Sequence, residues 1–400
     1  MIHWFEVENF TSFVAPTRID FTPGKVVDDY SVATSPSGIR LSKLVGVFGP
    51  NAAGKTNLIR ALSRTADFIS ESFNWPESTL LPFKPHFFGK DKPARVALQF
   101  ELPADEGSAT PVVYRYEIEA NEQQVVRERL RVRTSQLFSR VFERELSGKT
   151  YKITGLGSRF RDVPERISFV SWLARHEMPE ARRIASYFKR YQTNEFGVAG
   201  RVPLLVGMWA AINAYRHDPR LHRDMLEVLR RWDLGVADVR YVSTRVAGNE
   251  QETWEAIVTH RRGEKSAELP MVVESSGTVG LFAQLSVLLQ VLREGGVCVM
   301  DEIESDLHPD MVEVLLDLFI DPETNPKQAQ LIFTTHADWV MNLLNRWTTV
   351  LVEKRECAST AWRLCDMQGI QSRDNHAAKY RSGAYGAVPR DLREDCEATW

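Results

Sequence analysis

The sequence predicts an α/β chain built round a parallel sheet, carrying an antiparallel β subdomain and a helical insertion. Three observations predict it. KLVGVFG, residues 43 to 49, is a short apolar run ending in glycine, with a helical pattern over 58 to 75 behind it. Two further apolar runs, GGVCVMDE and AQLIFTTH, end in polar residues and alternate with helical stretches at 277–293, 310–320 and 337–346. Between Arg95 and Val141 the segments VALQFEL, VVYRYEIEA and VRERLRVR alternate apolar and polar residues, as half-solvated antiparallel strands do.

Along the chain, WFEVENF reads as an opening strand, and residues 1–150 as a first lobe holding the glycine-rich loop and the β subdomain. From 160 to 232, Pro164, Pro179, Pro203 and Pro219 divide a helical stretch into short helices, so 151–235 is read as the insertion. Strands return at VADVRYVS and TWEAIVTHR, and 236–400 is read as a second lobe. There is no internal repeat, no low-complexity linker and no sustained heptad pattern.

Composition narrows the classes. With 43% hydrophobic and 26% charged residues, the 400-residue chain suffices for two or three subdomains. A net charge of −3 gives no whole-chain attraction to nucleic acid or membrane, so such a role needs a local patch. Cys298, Cys357, Cys365 and Cys396 form no CxxC pair, which points away from zinc and disulfides and toward a reducing, cytoplasmic compartment. MIHWFEVENF lacks a basic start before an apolar core, and about 18 apolar residues nowhere run together, so neither signal peptide nor membrane span is expected.

The strongest motif is G-x-x-x-x-G-K-T over Gly49, Pro50, Asn51, Ala52, Ala53, Gly54, Lys55 and Thr56, with Asn57 following. At background frequencies such a pattern arises by chance in on the order of one chain in a hundred of this length. Its place between an apolar strand and a helix lowers that further. Gly49 and Gly54 permit the turns that aim backbone N–H groups at phosphate oxygens. Lys55 brings positive charge toward the β and γ phosphates, and the Thr56 hydroxyl is a ligand for Mg²⁺. In GGVCVMDE, Asp301 and Glu302 end a second apolar run, at the carboxyl edge of a parallel sheet where ligands sit. Asp301 suits the partner carboxylate for Mg²⁺, and Glu302 the group that polarises water. AQLIFTTH places His336 at the same edge, where a neutral imidazole can bond a γ-phosphate or the attacking water.

ESSGT, residues 274 to 278, follows Val272 and Val273 and precedes an apolar run from Val279 to Leu292. That is the pattern of a loop opening onto a buried helix. The set GPNAAGKTN, ESSGT, VCVMDE, SDLHP and TTH, in that order, resembles the ABC-type ATPases of the SMC, RecF and OLD group. The likeness covers about 1–100 and 235–400. It implies a P-loop NTPase fold of ABC, SMC-head-like type, with ATP and Mg²⁺ as ligands. It also matches ESSGT to the LSGGQ-type loop, Ser275 falling on the serine and Gly277 on the second glycine, with Glu274 and Thr278 replacing the outer residues. By this resemblance Ser275, Ser276 and Gly277 complete the ATP site of a second copy, and Asp306 contacts that interface as a D-loop residue. An ATP-dependent homodimer is therefore implied. The relatives' N-F-[RK]-S-F reads Asn9-Phe10-Thr11-Ser12-Phe13 here, with Thr11 in place of the basic residue.

The absence of heptads argues against long coiled-coil arms, and the 64 residues after His336 (400 − 336) are too few for an OLD-type nuclease domain. AAKYRSGAYGAVPR resembles the ending of RloA, AbiL and AriA-type ATPases. In those anti-phage systems the ATPase works beside a separately encoded effector, often of TOPRIM type. The resemblance thus implies a sensor or regulatory ATPase. The alternative is a RecF-like DNA-binding repair ATPase, favoured by Arg127, Arg129, Arg131 and Arg133 at spacing two, which puts all four on one strand face. Between Arg159 and Arg190 eight basic residues also face four acidic ones, and partner contacts are expected in this helical middle.

Overall fold

The computed structural model describes residues 1–24, 31–103, 111–160, 162–195, 201–231, 235–245, 252–305 and 307–389. The chain opens with the antiparallel pair β1 (Ile2–Glu8) and β2 (Thr17–Asp20) and a small hairpin of β3 (Val32–Thr34) and β4 (Arg40–Ser42). Next, β5 (Leu44–Phe48) runs into the glycine-rich loop and α1 (Lys55–Glu71). Strands β6 (Ala94–Leu102), β7 (Val112–Ala120), β8 (Val125–Arg133), β9 (Phe138–Ser147) and β10 (Thr150–Gly155) then meander. Because β6 pairs back onto β1, they form a seven-stranded antiparallel sheet in the order β10-β9-β8-β7-β6-β1-β2. It runs to Gly155, past the boundary at 150 read from the sequence.

Helices α2 (Phe169–Arg175) and α3 (Pro179–Phe188) lead into the two-residue β11 (Gln192–Thr193). Helices α4 (Leu204–His217) and α5 (Pro219–Arg231) precede a three-stranded sheet of β12 (Val236–Arg245), β13 (Glu252–Arg262) and β14 (Lys265–Pro270). The last third holds α6 (Ser276–Glu294), β15 (Val297–Met300), α7 (Pro309–Ile320), β16 (Gln330–Thr334), β17 (Thr349–Arg355), β18 (Ala358–Arg363) and α8 (His376–Arg381), alternating as expected except that the helix expected over 337–346 is only a short 3-10 turn at Asp338–Asn342. The central sheet has the order β11-β15-β16-β5-β17-β18, parallel throughout except for β18.

The period of two along these strands assigns alternate residues to two cores. Val45, Val47, Val297, Val299, Ile332, Val350 and Val352 face the antiparallel sheet and α1. Leu44, Phe48, Cys298, Met300, Leu331, Phe333 and Leu351 face α4 to α7. The stretch expected as a helical insertion divides between these layers: α2 and α3 pack in the first core, α4 and α5 in the second. One helix departs from the expectation about membrane spans. α6 is long and apolar enough by composition, yet 67% of that window is buried inside the protein, as in a core helix. A buried glutamine ties the layers together. Gln330 accepts from Ile2 N at 2.6 Å and donates to Ile2 O at 3.1 Å and Ser42 O at 3.0 Å.

Candidate active site

The loop between β5 and α1 is shaped by backbone conformations that need glycine. Gly49 has φ 152°, and a Cβ there would lie 2.1 Å from Val352 O. Gly54, the N-cap of α1, has φ 112°, and a Cβ would meet Ser359 Oγ at 2.5 Å and Ser12 Oγ at 2.8 Å. Those two serines brace the loop from opposite ends of the chain. Ser359 Oγ donates to Ala53 O at 2.6 Å, Ser12 Oγ accepts from Asn57 Nδ2 at 2.9 Å, and Ser359 N donates to Ser12 O at 2.7 Å. No side chain caps the N-terminus of α1. Its first-turn N–H groups are therefore left for an anion, where the helix dipole also favours negative charge.

A cavity of about 520 Å³ opens over this loop, lined by residues 51–57 with Asp301, Glu302, Thr334, His336 and Lys354. The strand ends of β5, β15 and β16 converge there because parallel neighbours share one carboxyl edge. Lys55 is buried, and its Nζ donates to Gly49 O at 3.0 Å and Pro50 O at 3.3 Å and stands 3.4 Å from each ring nitrogen of His336. Burial pushes the Lys55 ammonium pKa down, against the opposing pull of Asp301, Glu302 and Glu304.

Asp301 and Glu302 are fixed by hydrogen bonds. Thr56 Oγ1 donates to both carboxylate oxygens of Asp301 at 3.0 Å, and Thr334 Oγ1 donates to Asp301 Oδ1 at 2.6 Å. The same Thr334 oxygen accepts from Glu302 N at 2.8 Å. Asn194, just past β11, clasps the Asp301 backbone from both sides, donating to its carbonyl at 2.8 Å and accepting its N–H at 2.7 Å. Glu302 sits at φ 50°, a left-handed conformation costly for a side chain with a Cβ and found where surroundings over-determine it. Its carboxylate accepts from Ser305 Oγ at 3.1 Å and lies 3.6 Å from His336 Nε2. His336 N donates to Glu304 Oε1 at 2.6 Å.

A hydroxyl and a carboxylate facing each other are hard oxygen donors, the set that Mg²⁺ takes beside phosphate oxygens. Thr56 and Asp301 therefore fit such an ion.

The other predicted residues lie elsewhere. Ser275 caps α6, its Oγ accepting from Thr278 N at 3.1 Å. Ser275 and Ser276 are exposed, and residues 275–277 do not line the cavity. Val272 and Val273 before them are exposed at 55% and 63% rather than buried. Asp306 lies outside the described residues. Thr11, in place of the basic residue, uses its hydroxyl on Phe10 O at 2.8 Å. Sequence reasoning missed Asn194, Thr334, Glu304 and Lys354. Only Thr334 had a signal, as the first threonine of TTH.

Glycine-rich loop, uncapped helix, buried lysine and strand-end carboxylates define a P-loop nucleotide-binding protein. The chain belongs to the family described as AAA domain, putative AbiEii toxin, Type IV TA system, whose pattern matches residues 44–342. No curated protein matches the chain. Among solved structures it is similar to an Smc head bound to the C-winged helix domain of ScpA, with 16% identity, TM-score 0.48, and 90% of this chain and 96% of that one covered. It is similar also to the SMC head domain from Thermotoga maritima (15% identity, TM-score 0.42, 90% and 98% covered). A third is the Smc head domain with a coiled coil and joint from Pyrococcus yayanosii (12% identity, TM-score 0.46, 96% and 99% covered).

Proposed function

We propose that this chain is an ABC-type ATPase that hydrolyses ATP and serves as sensor or regulator of a separately encoded effector in bacterial anti-phage defence. The observation that carries the ATPase reading is the single cavity holding the P-loop, Asp301, Glu302 and His336. Uncapped N–H groups of α1 and Lys55 hold the triphosphate. Mg²⁺ held by Thr56 and Asp301 would neutralise phosphate charge. Glu302 takes a proton from the attacking water, and His336, 3.6 Å away, hydrogen-bonds that water or the γ-phosphate.

Residues 275–277 do not line the cavity of their own chain, and Ser275 and Ser276 are exposed. This supports a homodimer in which Ser275, Ser276, Gly277 and Asp306 of one copy close the site of another. A Glu302→Gln variant is expected to bind ATP, hydrolyse it at least 10²-fold more slowly, and double in mass with ATP. A monomer with and without ATP would overturn the composite site.

The defence role has separate support. The family description names a toxin–antitoxin system, and residues 377–390 resemble the ending of RloA, AbiL and AriA-type anti-phage ATPases. Phage challenge with and without the neighbouring genes tests it. Equal protection by this chain alone would remove the effector, possible TOPRIM nuclease included, from the proposal.

A further inference from the structure

The solvent face of the seven-stranded sheet carries charges in rows, because directly opposed residues line up across strands. In two rows carboxylates outnumber arginines. Glu6, Ala97, Glu117, Arg129 and Glu143 stand opposite one another in turn, as do Glu8, Arg95, Glu119, Arg127 and Glu145. Within them Arg95 pairs with Glu6 at 2.6 Å, Arg129 with Glu117 at 3.0 Å and Glu143 at 2.9 Å, and Arg127 with Glu143. So two of the four arginines spaced by two on β8 are neutralised by their neighbours.

The next row differs. It reads Asp20, Trp4, Gln99, Arg115, Arg131, Arg140, with Arg133 opposite Phe138 beside it, and Asp20 at its far end pairs with Arg18 at 3.4 Å. Arg115 opposes Arg131, and Arg131 opposes Arg140, like-charge pairs that destabilise a sheet. Among the described residues no carboxylate lies within 4.0 Å of Arg115, Arg131 or Arg133, and Arg140 reaches only Glu143 at 3.7 Å. Stacking holds Arg115, and Arg18 beside the row, in place instead. Arg18 lies over Trp4 at 4.0 Å, and Arg115 over Phe138 at 4.5 Å and Trp4 at 5.3 Å. Arg115 donates to Gln99 Oε1 at 3.3 Å and Arg133 Nε to Ser135 O at 3.0 Å, which leaves their remaining N–H groups for an anion. Arg115 Nε is buried without a partner. Burial first, against the opposing pull of Glu117 and Glu6, and then Arg18 and Arg131, push the Arg115 pKa down.

We propose that this row binds the phosphodiester backbone of double-stranded nucleic acid. The surface is distinct from the ATP cavity and goes beyond the function proposed above. At about 4.8 Å per strand the arginines from Arg115 to Arg140 span about 10 Å. That length matches about three base pairs at 3.4 Å each. A protein partner would call for an apolar centre, and of the exposed large apolar residues only Leu137 adjoins the row in sequence.

Fluorescence anisotropy of a labelled DNA duplex with the full chain, across salt, tests the inference; duplex RNA and polyglutamate serve as competitors. With about four phosphates contacted, affinity should fall roughly 10²-fold between 50 and 200 mM salt. Arg131→Glu with Arg133→Glu should weaken binding at least tenfold and flatten the salt dependence. The exposed Arg133→Ala alone should do so in part, and Arg127→Gln, in a row where carboxylates predominate, should leave it unchanged. ATP turnover and circular dichroism of the variants report folding. No duplex binding, or binding that ignores Arg131 and Arg133, overturns the proposal. Tighter capture of polyglutamate than of duplex would overturn it in favour of an acidic polypeptide.

Discussion

Two loops in this molecule are built from small residues and open onto helices, yet they leave those helices in opposite states. Gly54 begins α1 with no side-chain cap, under a cavity that also holds a buried lysine. Ser275 begins α6 by capping it with its own hydroxyl, on an exposed surface. The first loop is unsatisfied without an anion. The second is satisfied alone, so any nucleotide it meets must arrive already held by another body. Small residues at a helix start therefore do not by themselves say where a phosphate binds; the capping does.

The sharpest way to break the contrast is Lys55→Ala, which removes the one cation buried at the first loop. Turnover should fall at least 10²-fold and ATP affinity with it, read by phosphate release and calorimetry. Retained binding would mean that the uncapped helix end alone holds the nucleotide. Gly54→Ala comes next. With φ at 112° and two serine oxygens in the way, stability should drop by about 1–2 kcal/mol and ATP affinity more than tenfold, measured by denaturation and calorimetry.

Ser275→Ala should cost about 1 kcal/mol through the lost cap, and leave ATP affinity of the cavity unchanged. Turnover, measured at dimer-forming concentrations, should nevertheless fall. Unchanged turnover would make the second loop a helix cap and nothing more. The smallest effect is on pH. The folded pKa of Lys55 lies below 10.5, so its charge is lost earlier than that of an exposed lysine as pH rises. ATP affinity should decline several-fold on the alkaline side, and Lys55→Arg should abolish that decline while testing the fit of a larger cation.

What could be read in the sequence was local or edge-determined. Strand, glycine loop and helix adjoin between residues 43 and 71, and the parallel-sheet rule alone brings Asp301, Glu302 and His336 to that loop. What could not be read depends on pairing between distant segments. Asn194 reaches Asp301 from just past a two-residue strand too short for any pattern, and Ser12 and Ser359 meet only once the fold exists. Helices α2 to α5 look alike in sequence but belong to different cores. On β8, spacing placed four arginines on one face, while the cross-strand register decided which two are neutralised.

The position of β5 has a consequence for synthesis. Both of its hydrogen-bonded neighbours, β16 and β17, come from residues 330–355. A nascent chain emerging from the ribosome exposes the phosphate-loop strand with two open edges for most of translation. Such edges invite mispairing, so chaperone shielding during that interval should matter more for yield than the stability of the finished protein.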